Sequence, residues 1–435
     1  MKNAIAAALM LPALTVPQPA SGQAATADSL HDRIDRGAAG VMPKVINWRR
    51  DLHQHPELGN REVRTAGVVS EHLRRLGLEV RTGVARTGVV GVLRGGKPGR
   101  VVALRADMDA LPVTEETGLP FASTMRAEYN GREVGVMHAC GHDAHTSMLM
   151  GAAEVLAGLK AELPGTVVFI FQPAEEGAPA GEDGGAAVMI AEGVLDDPKV
   201  EAVFGLHVFP FQAGAIAVRP GGFMAAGDTL AIRVRGRQTH GALPWEGIDP
   251  IVVASQIVLG LQTIVSRQAD LTAAPAVITL GIFQAGNRSN IIPDEARLEG
   301  TIRTFDPEMR SEIHERVKRT AAGIAQGAGA TAEVTITPGN PVTYNDPALT
   351  ARVAPSLGRV AAALLTNPPV TTTSEDFSEY QQRVPGVFFF LGIAPKGSDP
   401  SKIEPNHSPR FMVEEDALVT GVRALASVAA DYLRQ

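Results

Sequence analysis

The sequence predicts an α/β protein: a mostly parallel-sheet catalytic domain carrying an inserted ferredoxin-like (βαββαβ) domain. Short, nearly continuous apolar runs alternate with helical stretches, as expected for strands buried on both faces of a helix-covered sheet. The middle of the chain instead reads strand, helix, strand, strand, helix, strand. Turn-rich segments, Pro220-Gly221-Gly222 and Pro338-Gly339-Asn340-Pro341, punctuate the two ends of that middle region.

The elements follow in order. A helix opens the ordered chain over about 28–53, and others are predicted at 64–76, 146–160 and 416–433. Apolar strands are expected at 89–93, 101–105, 167–171, 202–207 and 387–391. The middle region supplies strands at 229–235, 277–283, 297–304 and 332–337, with helices at 250–267 and 307–325. These assignments divide the chain into a catalytic body, 25–222 and 338–435, and an inserted lid and dimerisation domain, 223–337. A four-stranded insert has edges, and pairing one edge with a second copy is a common solution, so a homodimer is expected.

Composition narrows the function. With 435 residues, 45% apolar and 20% charged, the chain is folded rather than disordered. Its net charge of −7, from 40 basic and 47 acidic residues, gives no field for nucleic acid. Lys2, the apolar run from Ala4 to Val16 and the small residues at 20–25 read as a cleaved signal peptide, residues 1–24. Secretion or a periplasmic location follows; the rival is a disordered start on a cytosolic protein. That run is too short for a membrane span, and no later stretch reaches 18 apolar residues without a charge. The single cysteine, Cys140, excludes an intrachain disulfide and is either an inert core residue or a reactive or metal-binding thiol.

Chemistry concentrates where strands and helices meet. His138, Cys140, His142, Asp143 and His145 crowd one segment before a helix, with Gly141 permitting a tight bend. Asp143 and His145 are candidates for orienting the ligands. Glu175 and Glu176 follow an apolar strand, where adjacent carboxylates can divide roles, one holding metal and the other facing water. His207 ends a strand, Asp107 and Asp109 follow another, and His407 lies in a loop. Cys140, His142, Glu176, His207 and His407 are too many donors for one catalytic zinc and suit two divalent ions.

Arg49–Leu58, Arg105–Pro112, His138–His145 and Gln172–Glu176 together resemble the amidohydrolase branch of the aminoacylase and carboxypeptidase metallopeptidases. That branch includes hippurate hydrolases, N-acyl-amino-acid hydrolases and plant hydrolases of indole-acetyl amino acids. The similarity continues through Thr239–Ala242, Asn290–Asp294, Gly300–Phe305, Ser374–Phe377 and Asn406–Pro409, covering nearly everything after the signal segment. It implies a dinuclear site on the five donors, with Glu175 as general base and Asp109, Asp143 and His145 behind the ligands. It also implies that His240, from the inserted domain, stabilises the oxyanion, in the family often across a dimer. Asn290 and Arg303 are candidates to grip the substrate's carboxylate or amide. The donor set favours zinc or manganese, with cobalt or nickel also compatible.

Trp245, Thr371-Thr372-Thr373 and Gln238-Thr239 depart from the family's usual residues without touching a proposed ligand, which leaves substrate identity open. His53, His55 and Glu57 read as structural, because the helix stops at His55-Pro56. The reading is a metal-dependent amidohydrolase acting on N-acyl amino acids or short peptides with a free carboxylate. The alternatives are a periplasmic small-molecule binding protein without catalysis and an inactive metal-holding scaffold.

Overall fold

The computed structural model describes residues 29–395, 397–399 and 402–435; the signal segment expected at 1–24 lies outside them. The first half is built from α1 (Leu30–Gln54), α2 (Val63–Arg75), β1 (Glu79–Val84), β2 (Gly88–Arg94), β3 (Lys97–Asp107), α3 (His142–Gly158), β4 (Pro164–Gln172) and β5 (Ala202–Gln212). There follow β6 (Ala226–Arg235), α4 (Pro250–Thr263), β7 (Ala276–Ala285), β8 (Glu295–Thr304), α5 (Pro307–Gly327) and β9 (Thr331–Thr337). The chain closes with α6 (Pro347–Val360), β10 (Gly386–Ala394) and α7 (Leu418–Leu433).

Local chemistry explains the helix starts. Ser29 Oγ accepts from Asp32 N at 3.1 Å and Ser29 N donates to Asp32 Oδ2 at 3.0 Å, so each satisfies an orphan group at the start of α1. Asp249, Asp306 and Asp346 cap α4, α5 and α6 through side-chain oxygens, each followed by a proline, which has no N–H to satisfy.

The main sheet has eight strands, ordered β1-β2-β4-β3-β5-β10 and then two short strands, Ile216–Ala217 and Leu364–Leu365. The central strands β4, β3, β5 and β10 pair in parallel, whereas β1, β2 and Ile216–Ala217 join antiparallel at the flanks. Antiparallel flanks are the refinement on a mostly parallel sheet. Along β4, Phe169 and Phe171 enter the cluster under α1, α3 and α7, while Val168 and Ile170 enter the cluster on the opposite face. Both faces are covered, so the strand reads as one apolar run.

The middle region forms a separate antiparallel sheet, β7-β8-β6-β9, with α4 and α5 on one face. Strand β6 alternates, burying Leu230, Ile232 and Val234 against the helices while Thr229, Arg233 and Arg235 stay exposed. The two connections to this region run side by side just outside it: Gly221–Met224 pairs with Thr343–Asn345, which follows the second turn-rich segment. Among the described residues one helix, Pro250–Gln268, is long and apolar enough to cross a membrane by length and composition. Its Val253, Ile257, Leu261 and Ile264 instead pack on the antiparallel sheet.

Several elements lie outside the sequence expectations, among them β1, a hairpin and α6. A hairpin pairs Arg126–Tyr129 with Arg132–Gly135, closed by Asn130 and Gly131, both at positive φ. The Asn-Gly pair was its signal, hidden by polar flanking strands. Helix α6 contains Pro355, a residue that argues against helix when read alone.

Candidate active site

The C-terminal ends of β3, β4 and β5 converge with the N-terminus of α3, the place where open α/β sheets bind ligands. Gly141, just before α3, has φ +96°, and a Cβ there would lie 2.3 Å from Val208 Cγ2. The bend and the close approach both require glycine, and together they turn Cys140 and His142 toward the same space.

The donors proposed from sequence meet in overlapping triads. Ligand atoms of Cys140, His142 and His207 lie within 4.8 Å of one another; so do those of Cys140, Glu176 and His407, and of His142, Glu175 and Glu176. Cys140 Sγ is 3.3 Å from both His207 Nε2 and His407 Nε2, and His407 Nε2 is 3.1 Å from Glu176 Oε1. Cys140 therefore belongs to both halves of the cluster.

Hydrogen bonds fix what each ring offers. His207 Nδ1 lies 2.8 Å from the Val208 carbonyl, so Nδ1 carries the proton and the Nε2 lone pair faces Cys140. His142 Nδ1 is 3.2 Å from Asp109 Oδ1, and its buried Nε2 has no hydrogen-bond partner. Asp109 Oδ2 also accepts from Glu176 N at 2.9 Å, so one carboxylate positions two donors. Burial opposes charge on His142, but Asp107 and Asp109 overcome it and raise its pKa to about 10. Burial, with Glu176 and Glu175 adding to it, pushes the Cys140 thiol up. A pocket that stabilises positive charge on imidazole and needs a cation to ionise its thiol fits divalent metal, as does the orphaned His142 Nε2.

Glu175 is held well above the usual carboxylate range by burial first, then by Glu375, Glu176 and Asp376, with Arg105 opposing. Its Oε2 lies 3.9 Å from His142 Nε2. The loop that carries it is tied down by Glu62, whose Oε1 accepts from Ala174 N at 2.9 Å, with Ala174 at φ +53°.

Other expected residues take different places. His145 accepts from Val208 N on Nε2 at 2.8 Å and donates from Nδ1 to Asp107 at 2.6 Å, so it is a neutral strut joining β3 to β5. Asp143 turns away from the ligands, taking Arg49 Nε and His53 Nδ1, each at 2.8 Å. Arg303 reaches the same cavity as Cys140, Glu175, Glu176 and His207, about 310 Å³ in volume. His240 pairs with Ile291 in a two-stranded ladder and Asn290 lies in the turn just before it; both are exposed and neither lines that cavity.

Sequence reasoning missed the buried ion network beneath the site. Arg105, fully buried, bonds Gln172 at 2.9 Å, Asp107 at 2.7 Å and Asp376 at 2.7 Å, and lies 3.0 Å from Glu375. Its signal was an arginine within an otherwise apolar strand, a position that demands anionic partners. Asn406 was missed likewise: its Nδ2 donates to the Cys140 and Val208 carbonyls at 3.1 and 3.2 Å, pinning the His407 loop.

Residues 103–431 match Peptidase family M20/M25/M40. The chain is 42% identical over 406 residues to thermostable carboxypeptidase 1 of Saccharolobus solfataricus, covering 93% of this chain and 99% of that one. It is 39% identical over 392 residues to N-acetylcysteine deacetylase of Bacillus subtilis, covering 90% and 97%. The crystal structure of the Bacillus subtilis YXEP protein, a dinuclear metal binding peptidase, is similar with a TM-score of 0.77 and 37% identity, covering 91% and 99%.

Proposed function

Because the chain belongs to peptidase family M20/M25/M40, we propose that this metal-dependent amidohydrolase cleaves the amide bond of N-acyl amino acids or short peptides bearing a free carboxylate. The observation that carries the reading is the buried meeting of Cys140, His142, Glu176, His207 and His407 beside the raised carboxyl of Glu175. Those five residues would hold two divalent cations, zinc or manganese by donor chemistry. When bound, the pair supplies a Lewis acid for the carbonyl and lowers the pKa of water.

The chain's own groups do the rest. Glu175 takes the proton from the attacking water and passes it to the departing amine nitrogen; burial and its carboxylate neighbours raise its pKa above the ordinary carboxylate range, which favours holding that proton between the two transfers. Asp109 keeps His142 oriented, and the Val208 carbonyl does the same for His207. Arg303, which makes no ion pair among the described residues, offers a guanidinium for the substrate carboxylate. His240 serves the oxyanion from a second copy, joined along exposed edge strand β7, which explains its distance from the cavity of its own chain. Residues 1–24 direct export.

Replacing Glu175 by Gln tests the core of this reading. Turnover should fall by about 10²–10⁴-fold, the usual worth of a general acid–base. Metal content by elemental analysis should stay near two per chain. Near-native turnover in the variant would remove Glu175 from the mechanism.

A further inference from the structure

The two adjacent carboxylates of the site keep different company: Glu175 lies with Glu375 and Asp376, Glu176 with Cys140 and His407, and both with His142. They are the two central residues of one turn, closed by Gly177 N donating to the Ala174 carbonyl at 3.3 Å. That turn starts from Ala174, which is buried and left-handed at φ +53°, a conformation that alanine adopts only under constraint. Packing supplies part of the constraint. A Cβ on Gly59 would lie 3.2 Å from Ala174 Cα, and one on Gly184 would lie 3.0 Å from Ala174 Cβ. The rest comes from Glu62 and Asp109, which accept from the backbone N–H groups of Ala174 and Glu176, each at 2.9 Å.

Glu62 does not stand there as a helix cap. It directly precedes α2, but its side chain makes no capping hydrogen bond to that helix. It is fully buried, with Oε1 on Ala174 N and Oε2 taking the Thr87 hydroxyl at 2.5 Å. Burial, then Asp109, pushes its carboxyl up to about 7, the mark of an ionised form that its surroundings disfavour. An apolar residue would sit there more easily, so the two accepted bonds are what a carboxyl adds. We propose that Glu62 is a positioning residue: by holding Ala174 left-handed it aims Glu175 at the attacking water, while Asp109 separately keeps Glu176 on the metal side. This rests on the amidohydrolase reading given above, with Glu175 as the base. Without Glu62, Ala174 relaxes toward negative φ and the turn rotates about the end that Asp109 still holds. Glu175 is then misaimed and Glu176 is not.

The test is steady-state kinetics of the metal-loaded protein on the N-acetyl and N-benzoyl derivatives of one amino acid. Glu62→Met, which fills the space but offers no oxygen acceptor, should lower kcat about 10- to 100-fold, the range that local backbone strain spans. KM should hold, and elemental analysis should still find about two metals per chain, because Glu176 keeps its own anchor. Glu62→Gln, whose amide oxygen still accepts from Ala174 N, should stay within about threefold of native. In an Ala174→Gly background, Glu62→Met should lower kcat by less than about threefold, because glycine takes positive φ unaided. Thr87→Val, which frees Glu62 Oε2, carries the test in milder form if Glu62→Met does not fold; its loss in kcat should likewise vanish in the Ala174→Gly background. Equal losses in the two backgrounds, an unchanged kcat in Glu62→Met, a Glu62→Gln as slow as Glu62→Met, or lost metal overturns the positioning role while native hydrolysis upholds the enzyme reading. Near-native turnover by Glu175→Gln, or no hydrolysis of either substrate by native protein, overturns the base assignment and this proposal with it.

Discussion

The two sheets of this protein solve opposite problems. In the main sheet, strands β3, β4, β5 and β10 are covered on both faces, and charged groups at their ends are locked into closed networks. In the antiparallel sheet only one face is covered, and edge strand β7 leaves Val277, Ile282 and Phe283 exposed, beside Val252 and Leu259 on α4. The first arrangement fixes side chains to the accuracy that catalysis needs. The second leaves surface available for closing over a substrate or pairing with another copy. His240 and Asn290 lie on the open unit, whereas every proposed metal ligand lies on the closed one.

Three substitutions probe that contrast. The largest effect is expected for Arg105→Met, which leaves Asp107, Glu375 and Asp376 facing one another without their shared cation. Breaking such a buried network costs about 3–5 kcal/mol. Chemical denaturation should show the loss, accompanied by reduced metal retention. A loss below about 1 kcal/mol would mean that the closed unit is less constrained than its hydrogen bonds imply.

A smaller effect is expected for Asp228→Asn. Asp228 begins the open unit and accepts from His314 Nε2 at 2.6 Å, Arg310 Nε at 3.1 Å and Gly339 N at 3.2 Å, bracing the junction with the second connection. Burial works to raise its pKa, but Arg310 and His314 prevail and hold it below the usual carboxylate value. A depressed carboxylate stabilises the fold above its unfolded pKa of about 3.9, and that contribution disappears as pH falls through the lower folded value. Asp228→Asn should therefore cost about 1.5–3 kcal/mol at pH 7, the range for hydrogen bonds to charged groups. The difference from the native protein should shrink below about pH 3.9. A difference independent of pH would assign the loss to packing.

The smallest effect on folding belongs to Ile282→Glu on exposed β7. Chain stability should change by no more than about 0.5 kcal/mol, as for other surface sites. Light scattering should nevertheless show the proposed dimer dissociating. An unchanged mass distribution would exclude β7 as the pairing edge.

The difference between the units also sets what was legible beforehand. Continuous apolar runs and the β-α-β-β-α-β order are local patterns, so both sheets could be read, as could the donors Cys140, His142, Glu176, His207 and His407 at strand ends and loops. Asp143 and His145 could not be placed, because neighbours in sequence at the start of a helix point to different sides. His145 meets Asp107 and Val208, and Asp143 meets Arg49 and His53.

Residue type and spacing by themselves determined the fold class, the single thiol and the candidate donors, since burial periodicity and ligand chemistry are carried by the chain locally. Only the tertiary structure decided which atoms face one another. It assigned the tautomers of His145 and His207 and placed Cys140 in both halves of the cluster. It also buried Arg105 among carboxylates drawn from residues up to 271 positions away in the chain. Those are contacts between distant segments, set by how strands order in a sheet, and no local pattern encodes that order.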